Sequence, residues 1–238
     1  MRVLRSLVVT TLLSAGPAFS SGSRGVSTRW LSGGATSGGG EDDLTSKFTK
    51  LDEKVSYNGK YRQIKSLKIK FPNERVVDFD ILTQGGCGSV TVFAFNTTSR
   101  TATLIREYHP GSGHVQYGTV AGMLELGSKH STPLACAQME LEEEAHLRAD
   151  KWVPLLAEGV AQPFEKYSDN HFYPFLALDP VLVENPLPQD SEEFIWIVRD
   201  VSYSRMMELI DTGKINLVST ACILMAFKKL DELGIPYK

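Results

Sequence analysis

The sequence predicts an α+β fold in which a mixed β-sheet is sandwiched between helices. Three observations predict it. β-branched and aromatic runs separated by turn residues recur between residues 64 and 123. One helix pattern, residues 132 to 145, then interrupts the strands. Two further helix patterns close the chain, ended by Gly213 and Gly234. Strands wrapped around one helix, with helices at the far end, describe an α/β/α sandwich.

The elements follow in order. Residues 42–54 are densely charged and read as a short helix or a tether. Tyr57-Asn58-Gly59-Lys60 reads as a turn. Ile64 to Phe71 alternates apolar with basic residues, Pro72-Asn73-Glu74 turns the chain, and Val76 to Leu82 returns, so a β-hairpin precedes the main domain. Gly85-Gly86-Cys87-Gly88 leads into Ser89 to Phe95, a central strand, with Thr101 to Tyr108 returning after the turn at Asn96. A loop from His109 to Gln116 precedes a β-like run, Tyr117 to Met123. Thr132-Pro133 supplies a helix N-cap followed by proline at the first position, opening a helix to about Ala145. Trp152 to Val160, His171 to Asp179 and Glu193 to Val198 read as strands, and Ser204 to Thr212 and Val218 to Leu233 as helices.

Composition sets the domain organisation. The chain has 238 residues, 42% of them hydrophobic, enough for one domain with a sizeable core. Cys87, Cys136 and Cys222 are far apart and odd in number, which fits a reducing compartment better than a disulfide framework. Residues 1–40 carry Arg2, Arg5, Arg24 and Arg29 as their only charges. An apolar run from Leu7 to Leu13 is too short to span a bilayer. Arg-rich, Ser-rich and acid-free, this stretch reads as an organelle presequence. As a signal-like piece followed by a transit-like piece it suits a plastid, and as one Arg/Ser presequence a mitochondrion. The expected organisation is therefore a presequence over 1–40, a β-rich segment over 41–82 and the main domain over 83–238. Removing the four arginines from the 25 basic residues leaves 21 against 28 acidic ones, a net charge near −7. That balance excludes a nucleic-acid backbone binder, and the mature form is expected to have no membrane partner.

The most informative stretch is Glu140-Leu141-Glu142-Glu143-Glu144-Ala145. Glu140, Glu143 and Glu144 are spaced i, i+3 and i+4, so they share a helix face. Clustered like charge destabilises a helix, and a divalent cation with oxygen ligands is the natural offset.

Ala121-Gly122-Met123 through Leu147 resembles the signature of the Nudix hydrolases, a glycine-led loop followed by an acidic helix. The helix half reads Met139-Glu140-Leu141-Glu142-Glu143-Glu144-Ala145-His146-Leu147, and the three metal-binding glutamates of the motif fall on Glu140, Glu143 and Glu144. Leu104 to Pro110, Ala121-Gly122-Met123 and Glu208 to Ile215 resemble the ADP-ribose and ADP-sugar pyrophosphatase branch, over roughly residues 55 to 233. The departures are Met139 for the motif's arginine, His146 for its closing glycine, Val120 for a proline, Gly118 for a glutamate, and a loop longer by three residues with Ser131 at the position of its glutamate. Histidine tolerates the left-handed conformation better than most residues, and losing the arginine and the loop glutamate together leaves no orphan charge.

The resemblance implies the Nudix fold and a magnesium site, with manganese as an alternative. Its ligands are Glu140, Glu144, Glu143 and the Ala121 carbonyl, and Glu143 also counts among the catalytic residues. It implies a nucleoside diphosphate-linked small molecule as substrate, with ADP-ribose or an ADP-sugar cleaved to AMP and a sugar phosphate. Alternatives are a catalytically weak nucleotide sensor on the same fold and a hydrolase of another nucleoside diphosphate derivative. The general base is expected in a loop beyond the motif, where Asp169, Glu184, Asp190, Glu192 and Glu193 are candidates. Glu192 and Glu193 are favoured because paired carboxylates raise one pKa towards a useful value. Arg106, Tyr108 and Lys166 are the expected substrate contacts, and His109, Tyr117, Phe164, His114 and His130 are further candidates. The branch also implies a homodimer paired through strands within residues 57 to 82.

Overall fold

The computed structural model describes residues 44–84, 88–124, 132–189 and 194–238. A turn of 3-10 helix, Leu44–Lys47, leads into an N-terminal antiparallel sheet of three strands, β1 (Thr49–Asn58), β2 (Gln63–Lys70) and β3 (Val76–Thr83). The expected hairpin is β2–β3. Of the charged stretch read as a short helix or tether, Leu44–Lys47 is the short 3-10 helix, while the part from Thr49 onward is β1. Two irregularities in its pairing with β2, between Lys50 and Asp52 and between Val55 and Tyr57, break the period-two pattern by which a strand is recognised.

The main sheet is built from β4 (Ser89–Asn96), β5 (Thr101–His109), β6 (His114–Gly118), β7 (Val120–Met123), β9 (Lys151–Pro154), β10 (Gln162–Pro163), β11 (His171–Leu178) and β13 (Trp196–Ser202). Two short strands, β8 (Leu147–Arg148) and β12 (Val181–Leu182), pair apart from it. The order β10-β11-β4-β5-β13 is mixed: β11 runs parallel to β4, while β4, β5 and β13 are antiparallel. β6 extends the pairing of β5, β7 that of β4, and β9 that of β11.

Three helices complete the fold: α1 (Pro133–Ala145), α2 (Tyr203–Asp211) and α3 (Leu217–Glu232). Alternation along the strands divides the core in two. Val90, Val92, Ala94, Ile105 and Val120 face α1 through Ala137 and Leu141. Phe93, Phe95, Ala102, Leu104 and Leu176 face α2 and α3 through Met206, Leu209, Ile223 and Phe227. This is the expected α/β/α sandwich.

Boundaries moved where a local signal was weak. The strand expected over Trp152 to Val160 ends at Pro154, because the chain turns at Ala157, whose carbonyl accepts from Val160 N at 3.0 Å, with Gly159 at φ 74°. β13 begins later than expected and runs on to Ser202, whose hydroxyl caps α2 by accepting from Arg205 N at 3.3 Å. The run Tyr117 to Met123 divides at Thr119, whose N–H donates to Ser219 Oγ of α3 at 3.0 Å. No helix of the described residues is long and apolar enough to cross a membrane.

Candidate active site

α1 is fixed at both ends. Thr132 Oγ1 accepts from Ala135 N at 3.2 Å, and Pro133 occupies the first position, where no N–H is needed. The helix stops at His146, in the left-handed conformation with φ 53° and ψ 38°, where the motif has glycine. The last turn of α1 has no basic residue of its own. Arg199 of β13 supplies one, donating from Nη2 to the Ala145 carbonyl at 3.1 Å.

The acid face of α1 lies against β7. Glu144 is only 3% exposed, and its Oε2 accepts from the Ala121 N–H at 3.0 Å. A residue of an antiparallel strand sends its N–H and C=O to the same side, so the Ala121 carbonyl faces the edge that Glu144 occupies. Glu140 lies over Gly122 so closely that a Cβ there would stand 1.9 Å from Oε1. Gly122 is thus required for the Glu140 carboxylate to rest on the strand. Glu143 is half-buried on the same helix, and Glu142 turns away to pair with Arg148 Nη2 at 2.9 Å.

Ala121, Glu140 and Glu144 are therefore brought together. Among the described residues no three His, Cys, Asp or Glu side chains form a ready-made metal cage. Magnesium asks for less, one or two carboxylates completed by waters and substrate phosphates. An all-oxygen donor set, with a glycine cradle under one carboxylate and an amide holding the other, fits that ion.

The remaining expected residues divide. Glu192, Glu193, Asp190, His130 and Ser131 lie outside the described residues. Asp169 ties the N-terminal sheet to the main domain, its Oδ2 accepting from Lys65 Nζ at 3.1 Å. Lys166 is exposed, with Nζ 5.0 Å from the Tyr167 ring centre. Phe164 packs edge-on against Phe172, and Glu184 is an exposed loop acid. Arg106 and Tyr108 follow Leu104 in the alternation of β5, so they face the α2/α3 side, away from Glu140. Glu107 and His109 take the α1 side, with Glu107 Oε1 3.2 Å from His109 Nε2 but without hydrogen-bond geometry. No local signal in the sequence joins Arg199 to the Ala145 carbonyl it caps, 54 residues away.

Residues 87–215 match the family model described as NUDIX domain. No curated protein matches the chain. Among solved structures it is similar to one described as "Crystal structure of ADP compounds hydrolase", at 19% identity and a TM-score of 0.67, covering 80% of this chain and 97% of that one.

Proposed function

The chain belongs to the Nudix family of hydrolases, and on that basis we propose that it cleaves the diphosphate of ADP-ribose or an ADP-sugar, giving AMP and a sugar phosphate. The carrying observation is the acid helix seated on β7, with Glu144 held by the Ala121 amide and Glu140 cradled by Gly122. The solved structure of an ADP compounds hydrolase supports the choice of substrate class, as do the motif matches at Leu104 to Pro110 and Glu208 to Ile215.

Glu140 and Glu144, with Glu143 and the Ala121 carbonyl, would hold magnesium. That ion supplies charge neutralisation at the diphosphate and an acidified water. The chain's own contribution is placement. The Ala121 N–H orients Glu144 through a charge-assisted hydrogen bond, which also lowers the cost of burying the carboxylate. α1 and β7 are regular elements, so the two carboxylates keep their separation as substrate arrives. Glu192 or Glu193 is the proposed acceptor of the attacking water's proton.

Chromatography of ADP-ribose incubated with the full chain and magnesium tests this reading. AMP and ribose 5-phosphate in equal amounts support it. Calorimetric binding of ADP-ribose with no AMP released, in magnesium or manganese, would instead make the protein a sensor on this fold.

A further inference from the structure

The β5–β6 ribbon and β13 present chemically different faces. On the α1 side lie Glu107, His109, His114 and Gln116. On the other side one row crosses three strands: Tyr117 of β6 pairs with Arg106 of β5, and Arg106 with Trp196 of β13. We propose that this row, Tyr117–Arg106–Trp196 with Phe194 at its rim, is a binding site for a planar ring carrying an anionic group, the chemistry of a nucleoside monophosphate, separate from the acid helix.

Tyr117 packs against the α2/α3 core, and the outer end of the row is exposed. Trp196 is 47% exposed and Phe194 is 70% exposed, and the two meet edge to face at 4.6 Å between ring centres. Aromatic surface of that size held in water is costly unless something covers it. An edge-on neighbour braces the Trp196 ring and leaves a face for a stacking partner.

Arg106 supplies the charge. Its guanidinium carbon stands 5.0 Å from the Tyr117 ring centre, and its Nε is sealed from solvent with no hydrogen-bond partner among the described residues. A partly desolvated guanidinium gains more from an anion than a fully hydrated one, and its flat fork suits phosphate oxygens. Tyr117 is itself held, its N–H donating to the Lys214 carbonyl at 2.8 Å. Paired residues on neighbouring strands stand about 5 Å apart, the reach of one ribose between a ring on Trp196 and a phosphate on Arg106. Every member but Phe194 sits on a strand, so the site is built before the ligand arrives.

Titration of the full chain's tryptophan fluorescence with AMP, beside calorimetry, tests the proposal without requiring hydrolysis. AMP is expected to quench, and Trp196→Leu to remove the quench and weaken calorimetric binding about tenfold, the scale of one stacked base. Arg106→Gln is expected to weaken AMP about tenfold and adenosine little, while ribose 5-phosphate binds poorly to either protein. Trp196→Phe keeps calorimetric binding. Glu144→Gln and chelation of metal are expected to leave the AMP quench unchanged. Loss of the quench in Glu144→Gln or on chelation would place the ring at the acid helix and overturn the proposal. So would AMP affinity indifferent to both Trp196→Leu and Arg106→Gln, or no AMP binding at all. A chain that binds AMP in this way and yet releases none from ADP-ribose or an ADP-sugar would refute the proposed substrate reading and leave this site standing.

Discussion

At residue scale, Gly122 is where sequence and geometry meet most sharply. Its β-like backbone would accept alanine, but the added Cβ falls on the Glu140 carboxylate. That carboxylate ends a flexible side chain, so the fold survives and Glu140 moves. Gly122→Ala is expected to lower turnover at least about tenfold and to raise the magnesium needed, with the melting temperature changed by less than about 3 °C. Turnover and metal dependence like the parent's would show that Glu140 does not act from this position. His146 makes the opposite case. At φ 53° it sits where glycine is preferred, so His146→Gly should raise stability by about 1 kcal/mol, or about 2–4 °C in melting temperature. An unchanged or lower melting temperature would contradict the claim that the motif's missing glycine costs stability here.

Across elements, local signals were legible and distant partners were not. The Thr132-Pro133 start, the acid spacing and the glycines after α2 and α3 are written within a few residues, and all appear in the structure. Alternation also fixes that Arg106 and Glu107 point to opposite faces of β5. Which face meets α1 is a tertiary fact, so the sequence marks Arg106 as a candidate contact but does not show that it turns away from Glu140. The cap from Arg199 to Ala145 and the tie from Lys65 to Asp169 are likewise products of assembly.

One long-range tie makes a pH prediction. Asp179 Oδ1 accepts from the Thr97 hydroxyl at 2.7 Å and from the Thr97 N–H at 2.8 Å, joining the β4–β5 and β11–β12 turns. The Thr97 hydroxyl, then its amide, holds the Asp179 carboxyl below its ordinary 3.8. A depressed pKa contributes stability that is complete above the ordinary value and is lost as pH falls through the lower folded one. Asp179→Asn, which keeps a residue tolerant of φ 51°, should therefore lower the denaturation midpoint near neutral pH. The gap from the parent should close below pH 3.8. A gap constant with pH would show that ionisation of Asp179 plays no part.

For the whole molecule, the N-terminal sheet raises the question of assembly. Leu67, Ile69, Val77, Phe79 and Ile81 line one face, and none is fully buried although Phe48, Phe71 and Tyr167 lean on it. The proposed homodimer would cover that face. Light scattering of the full chain should return twice the 26.3 kDa monomer mass, and a monomer at working concentration would end the idea. Residues 1–40, fused ahead of a fluorescent protein, should direct it to a plastid or mitochondrion. Diffuse cytosolic signal would contradict the presequence reading.

The central claim is that the acid helix carries metal-dependent hydrolysis, and Glu144 is the residue on which it depends most, being both buried and held by the strand beneath it. The most direct test is AMP release from ADP-ribose by the full chain and by Glu144→Gln, prepared identically and titrated with magnesium. The account predicts release by the parent that vanishes on chelation, and a loss of at least about a hundredfold in the variant. Equal release by the two proteins, or release indifferent to magnesium, would contradict it.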